Sequence, residues 1–89
     1  MVQVEFASSI TRHTLASSFK ASGGTVGEVL ADVFRQLPAL RTYVVDDQGA
    51  IRKHVTVFIN DTTIRDRDCL TDTVASTDCV YVYQALSGG

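Results

Sequence analysis

Thr25-Val26-Gly27-Glu28-Val29-Leu30-Ala31-Asp32-Val33-Phe34-Arg35-Gln36-Leu37-Pro38 is the stretch that decides the fold. Thr25 is a helix N-cap by residue type: its hydroxyl can accept one of the unpaired N–H groups of the first turn. Glu28 stands three residues on, the spacing of a capping box. Val26, Val29, Leu30, Val33, Phe34 and Leu37 recur at helical spacing and make one face apolar. Pro38 has no N–H to continue the ladder and disfavours helical geometry in the residue before it, so the helix stops near Leu37. Ala21-Ser22-Gly23-Gly24 reads as the turn that leads in.

On both sides of this helix the hydrophobic period changes from 3.6 to 2. Val2, Val4 and Phe6 alternate with Gln3 and Glu5, the pattern of a half-buried strand, and Ser8-Ser9 end it. A weaker second strand is expected from about Thr14 to Phe19. Downstream, residues 39–53 read as a long connection with Asp46-Asp47-Gln48-Gly49 as a turn inside it. His54 to Ile59 is strongly strand-like, with Val55, Val57 and Ile59 on one face and Thr56 and Phe58 on the other. Asn60-Asp61 is a turn and Thr62 to Arg65 a short edge strand. Asp66-Arg67-Asp68 reads as a solvated loop, and the segment to Val74 as loop with one helical turn at most. Ser76-Thr77-Asp78 leads into a last strand, Cys79 to Tyr83. One helix among several strands indicates an α+β fold with the helix on one face of the sheet.

Composition narrows the function classes. The chain has 89 residues, enough for one core and little else. Its hydrophobic fraction, 45%, is that of a folded domain. Eight Lys plus Arg against ten Asp plus Glu leave a net charge of −2, which argues against nucleic acid as a partner. No apolar run is long enough to cross a bilayer, so no membrane partner is expected. The N-terminal segment lacks the basic start and apolar stretch of a signal peptide, and the chain reads as cytoplasmic. Cys69 and Cys79 fit a reducing compartment and read as small packing residues. With His13 and His54 far apart, no metal-site pattern is present. Both histidines read as plain strand or loop residues, and no nucleophile-elbow motif such as G-x-S-x-G is present.

Four pieces carry a resemblance: Ala21 to Glu28 leading into the helix, Val55 to Asp61 with Ile64-Arg65 after it, Thr77-Asp78 opening the final strand, and Ala85-Leu86-Ser87-Gly88-Gly89. Together they resemble the ubiquitin-like (β-grasp) sulfur carriers. That family includes the thiamin-pathway carrier, the cysteine-biosynthesis carrier and the molybdopterin synthase small subunit. The long connection 39–53 is most similar to the cysteine and molybdopterin branches. The chain departs from the family pattern at Ser76-Thr77-Asp78, where Asp-Gly-Asp is usual, and at Ser87, where Ala or Val is common. The resemblance implies a mixed four- to five-stranded sheet with one helix on one face. It divides the chain into a β-grasp domain, residues 1–84, and a flexible tail, residues 85–89.

The family's chemistry then implies a role for the tail. A ubiquitin-activating-type adenylyltransferase, using ATP, adenylates the Gly89 carboxylate. Sulfur displaces AMP to leave a thiocarboxylate, and a sulfur-accepting synthase takes the sulfur. Gly88, Ser87 and Leu86 give that carboxylate reach, and the two terminal glycines, which lack a Cβ, can enter a narrow cleft. The chain itself is expected to be a carrier rather than an enzyme and to bind no cofactor. A molybdopterin synthase small subunit, or a protein modifier conjugated through Gly89, would need the same tail.

Strand parity suggests where a partner docks. If Val80 and Val82 face the helix, Tyr81 and Tyr83 face away, as Phe58 does from the neighbouring segment. These three aromatics either form an exposed docking patch or pack against the connection around residues 43–51.

Overall fold

Five strands form one mixed sheet in the order β2-β1-β5-β3-β4. A computed structural model describes residues 1–6 and 18–84. The strands are β1 (Val2–Phe6), β2 (Ser18–Ala21), β3 (Val55–Ile59), β4 (Thr62–Thr63) and β5 (Cys79–Gln84). The long helix α1 spans Val26–Gln36, and a short helix α2 spans Arg41–Val44. The last strand lies at the centre: β5 runs parallel to β1, with Val4 opposite Val80, and antiparallel to β3, with Val57 opposite Val82. β2 and β4 are the edges.

The helix forms as its sequence directs. The Glu28 N–H donates to Thr25 Oγ1 at 3.2 Å, and Glu28 Oε1 accepts from the Gly24 N–H at 2.7 Å. The reciprocal bond of the capping box thus falls one residue earlier than the Thr25 N–H. Leu37 caps the end, its N–H reaching the Val33 carbonyl at 2.9 Å. Val26, Val29, Leu30 and Val33 are buried, with Phe34 and Leu37 half-buried beside them.

These residues meet Val2, Val4 and Phe6 of β1, Val55 and Val57 of β3, and Val80 and Val82 of β5 in one core on the helix side of the sheet. Each such fully buried aliphatic side chain contributes about 1.5–3 kcal/mol. Phe6 and Phe19 meet edge to face, ring centres 5.6 Å apart, and close the core at the β1–β2 side.

Several local expectations are corrected. The second strand reaches Ala21, which pairs with Val2 and is fully buried, so the lead-in turn begins only at Ser22. Residues 14–17 of the expected strand lie outside the described residues. The connection 39–53 holds structure of its own: a 3₁₀ turn at Pro38–Leu40, then α2. Pro38 ends one helix and, lacking an N–H, suits the first position of the next turn. Leu40 and Val44, four residues apart, bury one face of that turn. Asp46 closes the following turn by accepting the Gln48 and Ala50 N–H groups, and Val45 bridges to Ile51. The edge strand β4 is two residues long, because Ile64 turns into the core.

Asp66-Arg67-Asp68 is a built corner rather than a solvated loop. Asp66 accepts the N–H groups of Asp68, Cys69 and Thr71 and the Thr71 hydroxyl. Arg67 donates to the carbonyls of Arg52 and Val55. The chain then passes through Leu70, buried and held in the left-handed region at φ 59° by the Gly27 N–H on its carbonyl, 3.0 Å away. Cys69 is exposed at this corner and does not pack inside the protein.

Candidate functional site

The face of the sheet turned away from α1 carries the aromatics. Alternation along β5 sends Val80 and Val82 into the core and Tyr81 and Tyr83 to the opposite side. The β3–β5 register sets Phe58 directly opposite Tyr81, and Thr56 opposite Tyr83. The three rings touch: Phe58 and Tyr83 meet edge to face at 5.7 Å, and Tyr81 and Tyr83 lie nearly parallel at 6.3 Å. Tyr83 is 44% exposed. The buried members of the connection around residues 43–51, Val44, Val45 and Ile51, join the core.

Polar groups frame the patch. On β1, Glu5 stands opposite Tyr81 and is held by Gln3 Nε2 at 2.6 Å and Ser18 Oγ at 2.7 Å. A hydrogen bond with the Cys79 side chain, two residues back on the same face, raises the Tyr81 phenol above its ordinary value, and the charges of Tyr83 and Glu5 push the same way. Tyr81 therefore stays a neutral hydroxyl near pH 7. At the other end, Asn60 takes a left-handed conformation at φ 57° and locks the β3–β4 turn to the start of β5. Its amide donates to Asp78 and accepts from the Cys79 N–H, each at 3.1 Å. Phe58, Asn60, Asp61, Tyr81 and Tyr83 line a concave pocket of about 530 Å³.

The fold also determines where the tail leaves. Gln84, the last residue of β5, pairs with Val55 at the start of β3. The tail therefore departs from the middle of the sheet, one residue beyond Tyr83.

No protein-family model matches the chain. It is 28% identical over 74 residues to the sulfur carrier protein CysO of Mycobacterium tuberculosis and Mycobacterium bovis, across 81% of this chain and 80% of that protein. The crystal structure of M. tuberculosis CysO matches with a TM-score of 0.83 at 26% identity, over 97% of this chain and 100% of that one. A chain in the crystal structure of the Amycolatopsis orientalis BexX/CysO complex matches with a TM-score of 0.86 at 26% identity, over 100% of both chains. In sequence and in fold the chain is similar to the ubiquitin-like β-grasp sulfur carriers. Small archaeal modifier protein 1 of Haloferax volcanii, at 22% identity and TM-score 0.77 over 99% of this chain and 98% of that one, shares the fold.

Within this sulfur-carrier fold, the site residues expected from sequence divide into two groups. Phe58, Tyr81 and Tyr83 come together as one patch. Leu86, Ser87, Gly88 and Gly89 lie outside the described residues, as does His13; His54 is exposed. Among the described residues no group of three or more His, Cys, Asp or Glu side chains could hold a metal ion. No helix among them is long and apolar enough to cross a membrane. Sequence reasoning missed Asp61 as a wall of the aromatic pocket, although its place right after Asn60, in the turn that follows Phe58, was the available signal.

Proposed function

We propose that this chain is a sulfur carrier of cysteine biosynthesis whose reacting group is the Gly89 carboxylate. The observation that carries the reading is the match, over the whole length of both chains, to CysO in the BexX/CysO complex. The tail sequence Leu86-Ser87-Gly88-Gly89 supports it, because narrow-cleft chemistry requires residues without side-chain bulk next to the carboxyl.

The mechanism divides the labour. The carrier supplies the acyl group and the docking surface; a ubiquitin-activating-type adenylyltransferase supplies ATP and the catalytic groups. In the first step the Gly89 carboxylate oxygen attacks the α-phosphorus of ATP, and pyrophosphate leaves. In the second, a sulfide (HS⁻) attacks the acyl carbon, AMP leaves, and the carboxyl becomes a thiocarboxylate. The thiocarboxylate then acts as nucleophile on the substrate held by an acceptor synthase. Phe58, Tyr81 and Tyr83 form the docking patch, next to the point where the tail departs, so a partner seated there meets the tail directly. The chain works in the cytoplasm and holds no cofactor of its own.

The test is intact mass after incubation with a partner adenylyltransferase, ATP and a sulfur donor. A mass gain equal to one sulfur replacing one oxygen, mapped to Gly89, is the expected result. Covalent adducts on lysines of other proteins would replace the carrier reading with that of a modifier.

A further inference from the structure

The aromatic pocket contains a carboxylate that makes no bond among the described residues. Asp61 lines it at the β3–β4 turn and is exposed. Its neighbours are committed: both sides of the Asn60 amide are bonded, and Asp78 accepts from Asn60 and from the Ala75 N–H. Asp32, Asp46, Asp66 and Asp72 likewise each accept backbone N–H groups. Asp61 has no hydrogen bond or ion pair among the described residues; the ion pair present there joins Arg35 and Asp32. The pocket thus combines the faces and edges of three aromatic rings with one free anion.

That combination selects its occupant. An anion would meet the Asp61 charge. A purely apolar side chain would strip water from the carboxylate with nothing in return. A cation gains both from the ring faces and from the carboxylate. Between the two cationic side chains the geometry favours arginine. Its planar guanidinium can lie against a ring while its edge presents paired donors to a carboxylate, whereas an ammonium is compact and strongly hydrated. The volume, about 530 Å³, accommodates such a side chain. We propose that the pocket of Phe58, Tyr81, Tyr83 and Asp61 receives an arginine side chain of the protein that docks on this face. The proposal rests on the reading of this chain as a carrier that works through docked partners.

The experiment uses the full chain labelled with ¹⁵N and titrated with N-acetyl-arginine methylamide, in parallel with its neutral isostere, the citrulline derivative. The expected result is saturable amide shifts at Phe58, Asp61, Tyr81 and Tyr83 with the arginine probe and none with citrulline. Asp61→Asn should weaken the arginine response by about fivefold or more, and because the Asp61 side chain holds no bond among the described residues, the variant should stay folded. Equal binding of citrulline, undiminished binding by Asp61→Asn, or no saturable shift in the unmodified chain overturns the proposal. The mass measurement on Gly89 stands apart. A thiocarboxylate formed by a chain whose pocket ignores arginine overturns this proposal alone, and a pocket that binds arginine on a chain that is never activated overturns the carrier reading alone.

Discussion

Arg67 Nη2 lies 2.7 Å from the carbonyl oxygen of Val55 and 2.6 Å from that of Arg52, so one guanidinium fixes the start of β3. Val55 is the residue paired with Gln84, so the same contact braces the strand end from which the tail departs. Replacing Arg67 by Met keeps the apolar stem and removes both charge-assisted bonds, leaving two half-buried carbonyls without that donor. The expected loss is about 2 kcal/mol of stability. Urea unfolding should show a lower midpoint with an unchanged slope. An unchanged midpoint would mean that water replaces the guanidinium at no cost.

Asp66 makes stability depend on pH. The Thr71 hydroxyl and the N–H groups of Cys69, Thr71 and Asp68 hold its carboxyl at about 2, against an ordinary value of 3.8. Between these values the unfolded chain binds more protons than the folded one, so stability falls as pH falls. The contribution is fully present above the unfolded value, declines through the window and is lost below about 2. Asp72 is also lowered, by the Arg65 and Asp66 N–H groups. Comparing the chain with Asp66→Ala isolates Asp66: their difference in unfolding midpoint should shrink as pH drops from 3.8 toward 2. A difference that stays constant through this window would rule out the linkage.

Gly23 is required by close approach. A Cβ there would sit 2.7 Å from the Glu28 Cβ and 2.8 Å from the Val29 nitrogen, which belongs to the helix backbone and cannot swing away. Gly23→Ala should therefore cost about 1–3 kcal/mol, the scale of overpacking. Thermal unfolding followed by circular dichroism reads it. Gly49, whose Cβ would meet nothing within 4 Å but whose φ is +84°, is the contrasting position, where only backbone strain acts.

What the sequence made legible was whatever depends on near neighbours. Thr25, Glu28 and Pro38 bound a helix through bonds made within a few residues, and the valines of β3 and β5 alternate because a pleated strand must. Parity therefore placed Tyr81, Tyr83 and Phe58 on the outer face correctly. Ala21 was misread because an alanine after Ser18-Phe19-Lys20 carries no pattern of its own; it is in a strand only because Val2 pairs with it. The one-turn helix α2 is too short for a period to show. Arg67 looked like a solvated charge because its acceptors, the carbonyls of Arg52 and Val55, are backbone atoms that no side-chain pattern reports. Asp61 was passed over for the related reason that its role comes from rings three and about twenty residues away, which only the β3–β5 register brings together.

Deleting Gly89 should abolish the mass gain on activation while leaving the unfolding midpoint unchanged, because the core is complete by Val82. Adding one residue after Gly89 should have the same effect, since the proposed reaction needs that carboxyl free. Any mass gain that survives the deletion would locate the acyl group elsewhere in the chain.

Tyr83 separates docking from chemistry. Its ring is 44% exposed and lies against Phe58 and Tyr81 on the side of the sheet away from the core. Tyr83→Ala should therefore change stability by less than about 1 kcal/mol, as for a surface position. At a protein interface, by contrast, truncating a central aromatic costs about 2 kcal/mol or more of binding. If the patch seats the activating enzyme, KM for the carrier should rise roughly thirtyfold, while kcat at saturating carrier stays the same, because Gly88 and Gly89 still reach the nucleotide once the body is docked. Tyr83→Phe, which keeps the ring and loses the hydroxyl, should restore most of the affinity if the contact is made by the ring face. A variant that lowers kcat with KM unchanged would instead place Tyr83 in the alignment of the tail, one strand residue before Gln84.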